Sequence, residues 1–130
     1  MKTLAITLLL GGLAFQATAS ADDAVMTAHI AADGQIVKQS GKWVESVTLQ
    51  SQPDYFSQYK LKLDPAQWQQ APGFCVASPI DASTETRLMH GQAKVVGAPT
   101  TTNVTVNTQL VDLKGPSGNN DMEFMLMCSR

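Results

Sequence analysis

The chain has 130 residues, with nine Lys and Arg against eleven Asp and Glu and a formal charge of −2. That balance leaves nucleic acid and anionic membrane surfaces without the basic stripe they require. The length holds one domain with a modest core, and two cysteines and two histidines limit the chemistry available.

Residues 1–21 have the three parts of a cleavable export signal: Lys2, an apolar run from Leu4 through Phe15, and a small-residue stretch ending Ala19-Ser20-Ala21. The run is too short to span a bilayer, which takes about 20 apolar residues, and no later stretch supplies one. No membrane insertion is therefore expected. The mature chain is expected to start at Asp22, with Ser20 as a second start, leaving residues 22–130 as a single domain in the periplasm or outside the cell. There, an even cysteine count favours pairing, and Cys75 with Cys128 is the one pairing that exists.

The mature sequence alternates apolar and polar residues, and helical spacing is scarce. Ala24–Ala31 and Gln35–Gln39 flank Asp33-Gly34, a dipeptide suited to a tight hairpin. A strand from Trp43 to Gln50 follows, with Val47 and Leu49 on the face of Trp43. From Tyr59 to Leu63 the pattern is clean, with Tyr59, Leu61 and Leu63 opposite Lys60 and Lys62. Asp64-Pro65 suits a short helical turn with Asp64 as cap, and Pro72-Gly73 opens a strand through Phe74, Cys75 and Val76.

Two short strands, Arg87–His90 and Ala93–Val96, are divided by Gly91. Thr102–Leu113 is the longest candidate, with Val104, Val106 and Leu110 opposite Asn103, Thr105, Asn107 and Gln109. Residues 114–120 form a turn, and a closing strand from Met122 to Cys128 puts Met122, Phe124, Leu126 and Cys128 on one face. The last two strands are expected to pair as a hairpin. The whole predicts an all-β domain: an antiparallel β-sandwich or small jelly roll of seven or eight strands with one disulfide.

Gly34 through Thr48, with Ser40-Gly41-Lys42-Trp43-Val44 at its centre, resembles the start of a small β-domain of bacterial secreted proteins and phage tail-fibre tips. Tyr59–Leu63, Pro72-Gly73-Phe74-Cys75-Val76 and Phe124–Cys128 stand where that group has a Tyr-containing strand, a Pro-x-x-Cys-Val element and a final cysteine. The resemblance covers most of residues 26–129. It implies an interaction or display module and carries no catalytic residue. Residues 1–130 contain no collagen-like or fibre stalk, in which they depart from the group.

Neither His29 nor His90 sits in a nucleophile-elbow, metalloprotease or phosphate-loop motif, so no catalytic residue and no cofactor are expected. Asp64, Asp81, Glu85, Asp112, Asp121 and Glu123 could pair as acid and base, but carboxylates are mostly solvated and are expected to be so here. Met122, Met125 and Met127, with Met89 and His90, carry donors suited to Cu(I). Strand alternation turns Met122 away from Met125 and Met127, so core filling is the expected role and no metal site is assigned.

Among the aromatics, Trp43 is expected in the core. Trp68 lies between Gln67 and Gln69-Gln70, a polar setting in which burial is hard to arrange. Trp68 is therefore expected to be a contact residue, together with Tyr55 and Phe56. The expected function is that of a non-enzymatic binding protein, its partner a protein or carbohydrate of the envelope or the exterior. An inhibitor or immunity protein that blocks a toxin or hydrolase is the alternative, with a small hydrolase or a Met-based copper binder behind it. Sheet edges also leave room for a homo-oligomer.

Overall fold

A computed structural model describes residues 25–80, 91–112, 115–116 and 118–130. Within these, β1 (Val25–Ile30) buries Met26, Ala28 and Ile30 on one face. It turns at Asp33-Gly34 into β2 (Ile36–Gln39), with Gly34 at φ +88 and its N–H donating to the Ala31 carbonyl at 2.9 Å. Only glycine adopts that backbone without penalty.

Gln39 then steers the chain into the second sheet. Its Oε1 accepts the N–H groups of Trp43 (3.0 Å) and Val44 (2.8 Å), while Trp43 Nε1 donates to the Thr27 carbonyl at 2.8 Å. Strands β3 (Val44–Gln52) and β4 (Phe56–Leu63) form a hairpin. After β4, the Asp64 carbonyl accepts the N–H groups of Gln67 and Trp68, and its carboxylate accepts that of Ala66. This is the expected capped turn.

Strand β5 (Phe74–Pro79) follows Pro72-Gly73. The region expected as Arg87–His90 lies outside the described residues, and β6 (Gly91–Val95) starts at Gly91 itself. Strand β7 (Asn103–Asp112) leads to the two-residue β8 (Gly115–Pro116), which folds back on its end. Strand β9 (Phe124–Ser129) closes the chain.

All pairings are antiparallel and build two sheets, in the orders β2-β1-β9-β5 and β3-β4-β7-β6, with β8 beside β7. The first sheet gives the core Met26, Ala28, Ile30, Phe124, Leu126 and Cys128. The second gives Val44, Tyr59, Leu61, Leu63, Val104 and Val106, and Trp43 and Trp68 complete it. No helix of the described residues is long and apolar enough to cross a bilayer.

The expected hairpin between the last two strands does not form: β7 lies in one sheet, and β9 lies in the other between β1 and β5. The cause is the crossing segment. Asn120 is buried, its side-chain oxygen accepts the Leu110 N–H at 2.9 Å, and its carbonyl accepts the Thr108 hydroxyl at 2.7 Å. Beyond it, the Met122 N–H donates to the Tyr59 hydroxyl at 3.0 Å, which donates to the Ala32 carbonyl at 2.7 Å. Residues read as a plain turn thus form a buried polar bridge that carries the chain across the sandwich. Thr108, absent from the expected buried face of β7, points into this bridge.

The crossing delivers Cys128 opposite Cys75 in the β5–β9 ladder, where the two form the disulfide. Closing a loop over a separation of 53 residues confers about 4 kcal/mol in the loop-entropy description. The Cys75→Ala/Cys128→Ala variant should therefore lose about 4 kcal/mol in urea unfolding. A loss below about 1 kcal/mol would show that the bridge contributes little to the fold.

Candidate functional site

The outward face of the β2-β1-β9-β5 sheet departs from the pattern expected of an antiparallel sheet, whose solvent side is ordinarily polar. Since Cys75 and Cys128 point inward, their strand neighbours must point out. Three cross-strand rows result: Val25–Ser129–Phe74, Thr27–Met127–Val76 and His29–Met125–Ser78. Val25, Phe74, Val76, Met125 and Met127 are 42%, 52%, 48%, 51% and 36% exposed, five of the eight exposed large hydrophobics among the described residues. Val76, Met125 and Met127, with Thr27, His29 and Lys38, border a shallow groove of about 460 Å³.

Met125 and Met127 are thus exposed, not the core filling expected of them, while Met122 is buried as anticipated. One end of the face carries a hydrogen-bonded His–Glu pair that nothing in the local sequence signals. His29 Nε2 is hydrogen-bonded to Glu123 Oε1, and both side chains are partly buried. Glu123 is therefore not simply solvated.

Asp121 is not free either, because its Oδ1 accepts the hydroxyls of Ser51 and Ser57. Asp64 caps the turn after β4. Asp81, Glu85, Met89 and His90 lie outside the described residues, as does the side chain of Asp112.

A histidine bonded to a carboxylate supplies two members of a nucleophilic triad. The third is missing among the described residues. Ser78, in the same row, donates to the Pro79 carbonyl at 3.3 Å, and Ser40 donates to that of Thr27 at 3.4 Å, so neither hydroxyl is hydrogen-bonded to His29. Among the described residues, no cluster of three His, Cys, Asp or Glu side chains is placed to hold a metal ion.

The three expected contact residues separate. Tyr55 and Phe56 form an edge-on pair 4.6 Å apart, with Tyr55 exposed and Phe56 half-buried. They border a recess of about 220 Å³ with Gln92, Lys94, Asn107 and Gln109, on the outward face of the other sheet. Its amides are already paired: Gln92 donates to Gln109 at 2.9 Å, Gln109 to the Tyr55 carbonyl at 2.6 Å, and Gln58 to Asn107 at 3.1 Å.

Trp68 is at the other end of β4 and is only 2% exposed, which corrects the expectation that its polar neighbours keep it accessible. The capped turn explains the difference. It holds Gln67, Gln69 and Gln70 outward while the indole turns inward, edge-on to Trp43 at 5.7 Å and beneath the Arg130 guanidinium at 5.8 Å.

The apolar face has a signal in the sequence that becomes readable only through the disulfide. Once Cys75 and Cys128 are paired and one of them is inside, Phe74, Val76 and Met127 are outside by alternation. His29 and Glu123 have no such signal, since they stand 94 residues apart.

If Trp68 is a core residue, Trp68→Ala should cost about 3–5 kcal/mol in chemical unfolding. A variant as stable as the parent would return Trp68 to the surface. Comparison of the chain with protein-family models, curated proteins and solved structures gives no match.

Proposed function

We propose that this chain is an exported, non-enzymatic binding protein that docks a protein partner on the outward face of the β2-β1-β9-β5 sheet. The observation that carries this reading is the concentration of Val25, Phe74, Val76, Met125 and Met127 on that one face. Contiguous exposed apolar surface of this kind marks interaction sites, and flexible thioethers adapt to the surface they meet.

A protein suits the face better than a carbohydrate does. Its exposed side chains are chiefly aliphatic and thioether groups with a single aromatic ring, Phe74, whereas a sugar site surrounds such a ring with convergent polar partners for the hydroxyls. The recess at Tyr55 and Phe56 has amides, but these bond to one another and to backbone.

Charge narrows the partner further. Glu123 is held by His29, while Lys38, in register with His29, has no ion-pair partner among the described residues. The complementary surface is apolar, with an acidic group opposite Lys38. Export rests on the signal-like residues 1–21, and the Cys75–Cys128 bridge suits an oxidising compartment.

A photo-crosslinking residue at Val76, compared with one at exposed Thr48 on the opposite sheet, tests this in the producing cell. The expected result is one defined adduct from position 76, absent from position 48 and diminished by Lys38→Glu. Equal adducts from both positions, no adduct, or an adduct made of two copies of this chain would overturn the reading. Inhibition of a captured hydrolase would identify the partner as the target of an inhibitor.

A further inference from the structure

Strand alternation separates Met122 from Met125 and Met127, which removes the third donor that the sequence offers to a soft metal. The fold supplies another. His29 of β1 stands directly across from Met125 of β9, and Met127 is diagonal to it on the same face. All three side chains border the one groove. We propose that His29, Met125 and Met127 form a binding site for a single Cu(I) ion.

The spacing suits convergence. Directly opposed residues have Cβ atoms about 5 Å apart and diagonal ones about 7 Å apart, still within reach of long side chains. The two methionines lie about 7 Å apart along their strand. Each has three rotatable bonds, and both are accessible, at 51% and 36% exposure. The two thioethers can therefore close on an ion held at the imidazole without a change in the ladder.

The histidine already has the carboxylate partner that such a ligand takes. A metal-ligating imidazole ordinarily gives its other ring nitrogen to a carboxylate, which fixes the tautomer and raises the basicity of the ligating nitrogen. Here Nε2 is bonded to Glu123, which leaves Nδ1 as the lone pair available to metal. Glu123 also places a negative charge behind the ring, and this offsets the charge of a monovalent ion bound to neutral ligands.

The donor set selects among metals. Two thioethers and one imidazole are soft ligands suited to Cu(I), whereas Zn²⁺ takes thiolate, imidazole and carboxylate, and Ca²⁺ or Mg²⁺ takes oxygen. Among the described residues no group of three His, Cys, Asp or Glu could serve those ions, and both cysteines are committed to the disulfide. The site shares the apolar face with the proposed docking surface but does not rest on it. Metal binding is measured without any partner, so either can fail alone.

The test uses the disulfide-bonded mature chain, titrated anaerobically with Cu(I) against bicinchoninate as competing chelator and followed by NMR of the methionine ε-methyl groups and the His29 ring nitrogens. The expected result is one equivalent bound, with shifts at the Met125 and Met127 methyls and at His29 Nδ1. The methyls of buried Met26 and Met122 should stay unchanged. Met125→Leu/Met127→Leu, a pair of apolar swaps at exposed positions, should weaken binding at least tenfold, the size of loss that follows replacement of even an outer partner of a metal ligand. Unaltered affinity in that variant, shifts confined to other methionines, or an unmoved His29 Nδ1 would each overturn the proposal. The NMR readout on the parent protein decides the matter even if the variant does not fold.

Discussion

Strand β9 sits between β1 and β5 with Cys128 bonded to Cys75 directly across the ladder, and most of the molecule's surface chemistry follows from that bond. A side chain in a strand alternates between two faces, so a slip of one residue would exchange them entirely. The disulfide forbids the slip. With the sulfurs facing inward, Phe124 and Leu126 join the core, and Met125, Met127, Phe74 and Val76 are committed to solvent. The buried bridge of Asn120, Thr108 and the Tyr59 hydroxyl supports the same arrangement from the other end, because it carries the chain across to the sheet where Cys75 waits.

The two sheets consequently present unlike surfaces. One shows Gln50, Gln58, Lys60, Asn107 and Gln92 to water, the ordinary polar exterior of an antiparallel sheet. The other shows aliphatic and thioether groups and the ring of Phe74, rimmed by Lys38 and by the His29–Glu123 pair. A domain with two matched polar faces would be a scaffold for its loops. This one carries its distinctive chemistry on a rigid sheet, where residue spacing is fixed by the ladder.

Much of this was legible in the sequence, and what was not has identifiable physical causes. The alternation of Tyr59, Leu61 and Leu63, the Asp33-Gly34 turn and the Asp64 cap are local signals, and each lies where its chemistry puts it. Trp68 misled because its flanking glutamines speak only for themselves, while one turn of backbone aims the indole the other way. Asn120 looked like turn residue chemistry, yet its side chain replaces a ladder bond for Leu110 inside the protein. His29 and Glu123 meet only because β1 and β9 are neighbours, which no window of sequence contains. Tyr55 and Phe56 do come together, but beside amides that already satisfy one another.

The phase of β9 turns Met125 and Met127 to solvent while Met122, and Met26 on the neighbouring strand, stay inside. Limited oxidation of the native protein by hydrogen peroxide, with the sulfoxides located by mass spectrometry, measures this directly, because thioether oxidation follows exposure. Met125 and Met127 should oxidise rapidly, with Met26 and Met122 protected until the protein is unfolded. Protection of Met125 and Met127, or oxidation of all four at one rate, would contradict that phase.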